Sequence, residues 1–472
     1  MKLRLIFDAS IDSAKIHEAA LDILFRTGCR FQSEKARQLL QKHGAKVEGE
    51  TVFLPPKLIE SAIKNVPSSF RWRARNDAFS TTIGDKKLKL GPNAGNIYVQ
   101  DLEKGRRLAT LEDVSRIQKI HQSSDCTDFV GNNPCEPSDV DSDKRHLYVT
   151  YEVLKHTDKP IISYFAPYKN QAEEILHMVQ LAFGEKDIFK HHHVVGTSLS
   201  SDSPLVFTQD TLGVMDTFAS YNQPVLITTA AMGGISAPLN LMGIAIQQLA
   251  ELIAGTTYVQ LVNPGNPVVW SPSSTIAWLK EATYSTGTPE AMLPNILVLQ
   301  MARDFYDIPT RSMGGLTDSK VVDSQAGYET MQNLMLAMLG GAEIVYEALG
   351  VLDNIMTTSY EKIIIDEELF KRISRIHCGM DTSIIEEPSS LIQEIGSGGN
   401  FLFQSYTLHH CRDMWRPTVS NWDSYIGWEA TGSPDTMKRA NKIWKERLDE
   451  APELLIDDEL EKDLQRYIRS RQ

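Results

Sequence analysis

The spacing of hydrophobic positions changes near residue 110, and the change divides the chain. Before it, IDSAKIHEAALDILFRTGCR repeats apolar residues at the three- and four-residue interval of a helix and stops at Gly28. A second helical run, SEKARQLLQKHG, closes on Gly44. Short stretches follow, KVEGETVFLP, SFRWRARN and KLKLGPNAGNIYVQDLEKGRRLA, and the last carries the Gly and Asn punctuation of hairpins. Residues 1–110 therefore read as an α+β cap.

Beyond Thr110 short runs rich in Val, Ile and Thr alternate with helical stretches. The runs are DFVGNN, PIISYF, HVVGTSLS, PVLITTAAMGG, PVVWSPSS, PTRSMGG and EIVYEAL, with helices such as LNLMGIAIQQLAELIAG and YETMQNLMLAMLGGA between them. Strand–helix alternation at this interval predicts parallel βαβ units. Seven readable strands and an expected eighth favour a closed (β/α)8 barrel over 111–420. A doubly wound sheet is the alternative, and no GxGxxG follows the first strand to support it. Residues 421–472 read as a helical extension: a charged helix, TMKRANKIWKERLDE, then an acidic tail expected to be solvated or to bridge subunits.

Composition narrows the function. The 472 residues are 42% hydrophobic and 23% charged, ordinary for a folded protein, with a formal net charge of −13. Phosphate binding needs clustered Lys and Arg, so nucleic acid is excluded as a partner; acidity suits a soluble enzyme or a cationic substrate. Cys29, Cys126, Cys135, Cys378 and Cys411 are an odd count without a CxxC pair, which argues against a disulfide framework or a four-thiolate zinc site. The opening MKLRLIFDAS lacks the apolar core of a signal peptide, and no run reaches the roughly 18 apolar residues of a membrane span. A cytoplasmic protein is expected.

In a barrel of this kind the chemistry lies at the C-terminal ends of the strands. Those ends hold Asn132 and Asn133, Tyr164 and Phe165, Thr197 and Ser198, Met232, Trp270 and Ser271, Ser312 and Met313, and Tyr346 and Glu347. The set is rich in aromatics, hydroxyls and amides and poor in the His, Asp and Lys of proton or metal chemistry. His191, His192 and His193 are consecutive, so at most two share a strand face, and they precede their strand. Lys320 in GGLTDSK is the candidate for a Schiff base, with an ordinary loop lysine as the plainer reading. Tyr98, Tyr164, Phe165, Trp270, Trp278 and Tyr346 are candidates for an aromatic enclosure of a quaternary ammonium, although any one of them alone is more often core.

GPNAGNIYVQDLEKGRRLATLED resembles the G-P-x-x-G-x-x-Y/F-V-x-D-x-x-x-G-x-R-x-A-T-L-x-D segment of the trimethylamine methyltransferase family. AELIAGTTYVQLVNPGNPVVW, GGLTDSKVVDSQAGYET, LDNIMTTSYEKIIIDEEL and GSGGNFLFQSYTLHHCRDMWRP look like later blocks of it in the same order, from Gly91 to Pro417. The resemblance implies a barrel that moves a methyl group from a methylated amine to the cobalt of a separate corrinoid protein. One branch of the family carries pyrrolysine; ordinary residues throughout this chain resemble the other, which includes enzymes for glycine betaine, proline betaine and carnitine. No permanently bound cofactor is then expected, the cobalamin residing on the cognate corrinoid partner. Displacement of a methyl from a quaternary nitrogen moves no proton there, which accounts for the missing acid–base set.

Glu347 is the candidate for facing the ammonium at the reacting centre. Asn96, Tyr98, Asn132, Tyr164, Phe165, Trp270, Arg311, Ser312, Tyr346 and Asn400 are candidates for binding the rest of the substrate. The chain departs from the family at YEALGVLDN and at GGNFLFQSYTL, where Asn400, Gln404 and Tyr406 stand in place of imidazoles, leaving Arg311 as the candidate donor to a betaine carboxylate. The alternatives are a metal- or Schiff-base-dependent lyase on the same barrel and a non-catalytic binder of quaternary amines. A homo-oligomer is expected because symmetric assemblies are common among soluble enzymes.

Overall fold

A computed structural model describes residues 12–471, so the opening MKLRLIFDAS lies outside the described residues. Among them, eight parallel strands close a barrel: β1 (Lys89–Leu90), β2 (Val130–Gly131), β3 (Ile161–Ile162), β4 (Val195–Ser201), β5 (Val225–Thr229), β6 (Val268–Pro272), β7 (Arg311–Met313) and β8 (Ile344–Tyr346). Ladders join β2 through β6 in order and run from β7 through β8 to β1. A parallel bridge between Trp270 and Thr310 connects β6 to β7. At the last seam the Asp128 and Phe129 amides donate to the Leu90 carbonyl at 2.9 and 3.1 Å.

Each strand is followed by an outer helix: α1 (Leu111–Ser123), α2 (Arg145–His156), α3 (Lys169–Phe183), α4 (Gln209–Ser220), α5 (Leu241–Val262), α6 (Leu293–Met301), α7 (Ser324–Gly340) and α8 (Tyr360–Cys378). Their starts carry the expected capping chemistry. Asn240 caps α5, Asp323 caps α7, and Thr110 with Asp113 forms a capping box on α1. No helix among the described residues is long and apolar enough to cross a membrane.

The eighth strand comes from an unexpected place. KLKLG reads as part of a hairpin in the cap, yet Lys89–Leu90 is β1, and only the following Tyr98–Asp101 and Gly105–Leu108 form the hairpin. Two residues carry too little alternation to announce a barrel strand. The rest of the N-terminal region divides in two. Helices Ser13–Arg26 and Pro56–Lys64 pack on α5, and the Cys29–Phe31, Lys46–Glu48 and Thr51–Phe53 strands form a sheet that recruits Val206–Phe207 from beyond β4.

A hairpin of Phe70–Trp72 and Thr81–Ile83 seals the N-terminal end of the barrel. Phe70, Trp72 and Ile83 form one buried cluster with Phe129, Ile162, Leu226, Val269, Ile344 and, at its upper edge, Tyr346, inward positions on or just before five strands. Gly196 on β4 is required there: a Cβ would lie 2.3 Å from the Trp72 ring.

The acidic tail is not a solvated rod. Its helix, Asp458–Ser470, buries Leu464 and Ile468 and packs against α3 and α2 of the same chain. The charged helix before it, Thr436–Glu450, packs on α8, with the Trp444 indole donating to Glu361 at 3.0 Å.

Candidate active site

Above the apolar seal, the inward positions of the same strands turn polar. Arg311 on β7 is 1% exposed and sits in the barrel axis. One terminal nitrogen donates to the Ser271 hydroxyl at 2.6 Å and reaches the Ser273 hydroxyl at 3.3 Å. The other lies 3.4 Å from the Glu347 carboxylate, and the guanidinium carbon is 4.2 Å from the centre of the Tyr346 ring. Arg311 is in register with Ile344 on β8, and Tyr346 lies two residues further along that strand on the same face, which brings the ring against the guanidinium.

Arg311, Ser273, Tyr346 and Glu347 line a cavity of about 360 Å³ open at the C-terminal ends of the strands. Asn132, Phe165, Ser198, Thr228 and Tyr284 complete its polar and aromatic walls. Phe165 is half exposed at the rim, whereas the Tyr284 hydroxyl is tied to the Ser273 carbonyl. Gly91 lets β1 pass the Tyr346 ring, which a Cβ would approach to 2.6 Å.

Two features mark the cavity as a place where binding is built in. Asn132 and Glu347 both have φ of +50°, a left-handed conformation rare in residues with a Cβ and concentrated at functional sites. Arg311 Nε, Tyr346 Oη and Glu347 Oε2 are buried without a hydrogen-bond partner. Buried polar atoms normally have partners, so this cluster is polar capacity held ready for a ligand.

Electrostatics point the same way. Burial pushes the Glu347 carboxyl up from 4.5, while the adjacent Arg311 charge pulls it partly back. Burial also raises the Tyr284 and Tyr346 hydroxyls, keeping both rings neutral. The floor of the cavity thus holds one fixed cation and one carboxylate side by side, beside two neutral rings.

The candidates divide. Glu347, Asn132, Phe165, Arg311 and Tyr346 meet around the cavity. Seven others, exposed Trp278 among them, do not line it. Trp270 points between β6 and the helices, its indole donating to Thr256 on α5 at 2.8 Å and its ring 4.8 Å from Tyr306. Ser312, next to inward-facing Arg311, is turned away and bonds the Met313 carbonyl. Tyr164 donates to Glu136 at 3.1 Å, and Tyr98 is covered by Arg106 at 3.5 Å. Asn96 is buried with its amide unpartnered outside the cavity wall, and Asn400 lies on an exposed segment.

Neighbouring residues on a strand face opposite sides, so a pair within a strand sends one inward, whereas Tyr346 and Glu347 both reach the cavity because Glu347 lies past the strand at positive φ. Ser198 and Met313 were already in those pairs. Tyr284, by contrast, arrives on a hairpin after β6 (Thr275–Trp278 and Thr283–Tyr284), and nothing in its local spacing aims it at the axis.

The metal and lysine candidates lie elsewhere. His193 bonds the Asn222 carbonyl at the N-terminal end of β4, and Lys320 is exposed, donating to the Asp318 carbonyl. A second cavity of about 330 Å³ sits behind the N-terminal ends of β7 and β8. Its Arg303 and Glu343 are already paired with Asp304 and Lys89.

The chain is similar to known proteins over nearly its whole length. The family model described as Trimethylamine methyltransferase (MTTB) matches residues 7–472. The chain is 34% identical over 458 residues to a glycine betaine methyltransferase of Desulfitobacterium hafniense (strain Y51), covering 97% of this chain and 95% of that one. It is 30% identical to a proline betaine:corrinoid methyltransferase of Eubacterium limosum, covering 93% and 92%. Among solved structures, the monomethylamine methyltransferase of Methanosarcina barkeri shares the fold at a TM-score of 0.56 and 10% identity, covering 96% of this chain and 90% of that one.

Proposed function

The chain belongs to the trimethylamine methyltransferase family, and from that premise we propose that it moves a methyl group from a betaine to the Co(I) of a separate corrinoid protein. Glycine betaine or a related betaine is the substrate this site suits best. The observation that carries the reading is the buried Arg311–Glu347 pair, side by side and incompletely bonded at the floor of an open cavity. A betaine is a zwitterion whose two charges complement this pair: its carboxylate takes the Arg311 fork, and its trimethylammonium takes Glu347 and the faces of Tyr284, Tyr346 and Phe165.

In this reading the protein supplies orientation rather than proton transfer. The ammonium lies with one methyl toward the open end of the barrel. There the Co(I) of the corrinoid substrate attacks in line, and the electrons of the breaking C–N bond remain on nitrogen as a neutral tertiary amine. Glu347 favours the cationic substrate electrostatically and holds no proton in the step. Trimethylamine, which has no carboxylate, would leave Arg311 without a partner to exchange for Glu347, so a betaine fits the site better.

The test is methylation of a reduced corrinoid protein, followed by its absorbance spectrum, with glycine betaine, proline betaine, carnitine, γ-butyrobetaine, choline and trimethylamine. The expected result is transfer from one of the betaines. Failure with all six, using a corrinoid protein active with another methyltransferase, would remove the proposal; tight betaine binding without transfer would leave a binder instead.

Free thiols at all five cysteines support a cytoplasmic setting. Support for a homo-oligomer comes from residues 374–418, none of which is buried, although Leu402, Phe403, Leu408 and Met414 are large and apolar. Apolar surface of that density is ordinarily covered in permanent assemblies.

A further inference from the structure

The block GGLTDSKVVDSQAGYET helps identify the family, yet apart from Met313 before it none of its residues lines the cavity. It forms the loop after β7 and the start of α7, and its polar side chains reach sideways into neighbouring loops. The Asp318 carboxylate accepts from the Ser285 hydroxyl at 2.6 Å, from the Thr286 amide at 2.8 Å and from the Thr286 hydroxyl at 2.8 Å. Ser285 and Thr286 directly follow Tyr284, the cavity wall delivered by the hairpin after β6.

Asp318 is itself fixed from behind. Glu329, on the first turns of α7, accepts from the Asp318 amide at 2.8 Å and from the Thr317 hydroxyl at 2.6 Å. Asn333, one turn further along, donates to the Thr286 and Leu316 carbonyls at 2.9 Å each, tying the same two loops together. The loop also reaches the opposite wall. The Asp353 amide donates to the Ser319 carbonyl at 2.8 Å and the Asn354 amide to the Thr317 carbonyl at 3.2 Å, next to cavity residues Asn354 and Ile355. A loop that does not line the cavity therefore fixes both flanking walls.

We infer that Asp318 is a positioning residue for the substrate cavity, holding the Tyr284 ring in place through Ser285 and Thr286. The physical reason is specific to a carboxylate. It accepts three hydrogen bonds from two successive residues, which fixes the backbone direction there, and bonds to a charged acceptor are stronger than neutral ones. The Tyr284 hydroxyl is anchored on Ser273 and the residues after it on Asp318, so the ring is fixed from both sides. The inference rests on the betaine reading for its ligand, though not for the position of the ring.

The experiment reads both separately in the full-length protein. With 3-fluorotyrosine incorporated, the fluorine resonance of Tyr284 is identified by its loss in Tyr284→Phe. In Asp318→Ala this resonance is expected to move and sharpen as the ring gains freedom, while Asp318→Asn, which keeps an acceptor toward Thr286 and loses the one toward Ser285, moves it less. Ser285→Ala, which removes a single hydroxyl, is expected to give a smaller shift in the same direction and serves if Asp318→Ala does not fold. Glycine betaine binding by calorimetry then supplies a double-mutant cycle. Asp318→Ala and Tyr284→Leu each weaken binding several-fold, and the double variant binds no worse than Tyr284→Leu alone. An unmoved Tyr284 resonance, or fully additive losses in the cycle, would overturn the inference. If the wild type binds no glycine betaine, the substrate assignment fails and the fluorine spectrum still decides the role of Asp318.

Discussion

The two ends of the barrel are built from the same strands and could hardly be more different. At the N-terminal end Phe129, Ile162, Leu226, Val269 and Ile344 close around Trp72 in a dry layer. Tyr346 stands two residues beyond Ile344 on β8, Arg311 faces it from β7, and the chain then turns through Glu347 at positive φ. One end is filled by packing around Trp72, whose indole nitrogen is unpaired, while the other gathers three unpaired buried polar atoms on Arg311, Tyr346 and Glu347. A fold can place a costly, ligand-seeking cluster at one end because the opposite end and the helix layer hold the strands in register.

The largest break in this contrast is expected from Trp72→Ala. Removing an indole from the seal costs about 3–5 kcal/mol of stability, the usual range for a buried tryptophan. Denaturant unfolding measures it, and betaine affinity of the folded protein should be preserved. A large loss of affinity at unchanged stability would show that the two ends are not separable.

Arg311→Met makes the complementary break at the mouth. Loss of a charge-assisted donor, worth about 1.5–3 kcal/mol, should weaken glycine betaine binding roughly 10- to 150-fold. Tetramethylammonium, with the same cationic head and no carboxylate, should lose little. Equal losses for the two ligands, measured by calorimetry, would remove Arg311 as the carboxylate partner.

What could be read from the sequence follows the same division. Long strands such as HVVGTSLS and PVLITTAAMGG and the α5 and α7 helices announce themselves, because runs of this length carry their own periodicity. Lys89–Leu90 does not, since a two-residue strand acquires its identity only from the neighbours that pair with it. The site shows a similar limit. Strand ends supplied Asn132, Phe165, Tyr346 and Glu347, and the need for a carboxylate donor supplied Arg311, but which residue within a strand points inward depends on register set by the closed ladder. Trp270 is the clearest case: a strand-end aromatic that faces the helices because Val269 and Ser271 face the axis. Tyr284 and Asp318 meet only through contacts between loops, which no local pattern encodes.

Titration sharpens the comparison further. Glu347 has its carboxyl raised by burial despite Arg311. An ammonium needs the ionised form, so betaine and tetramethylammonium affinity should fall as pH drops through this raised pKa, above the ordinary carboxylate range. The stability contribution has the opposite sense. A folded pKa above the unfolded one favours the protonated folded state, so that contribution is fully present below the unfolded pKa and is lost as pH rises through the folded value. Glu347→Gln should flatten both dependences. Affinity and stability that titrate alike in wild type and Glu347→Gln would exclude Glu347 as the titrating group.

The smallest expected effect separates a ligand contact from idle polarity at a single atom. Tyr346 Oη is buried and has no partner, so Tyr346→Phe removes no protein hydrogen bond and keeps the ring against Arg311. Stability should therefore change by less than about 0.5 kcal/mol or rise slightly, since an unsatisfied buried hydroxyl is lost. If the hydroxyl is held ready for the substrate carboxylate, glycine betaine binding should weaken by about 0.5–1.5 kcal/mol, the net worth of one neutral hydrogen bond. Tetramethylammonium binding should be unaltered, because the aromatic face is retained. A Tyr346→Phe protein that binds both ligands as the wild type does would assign the hydroxyl no part in recognition, leaving Arg311 to select the carboxylate without it.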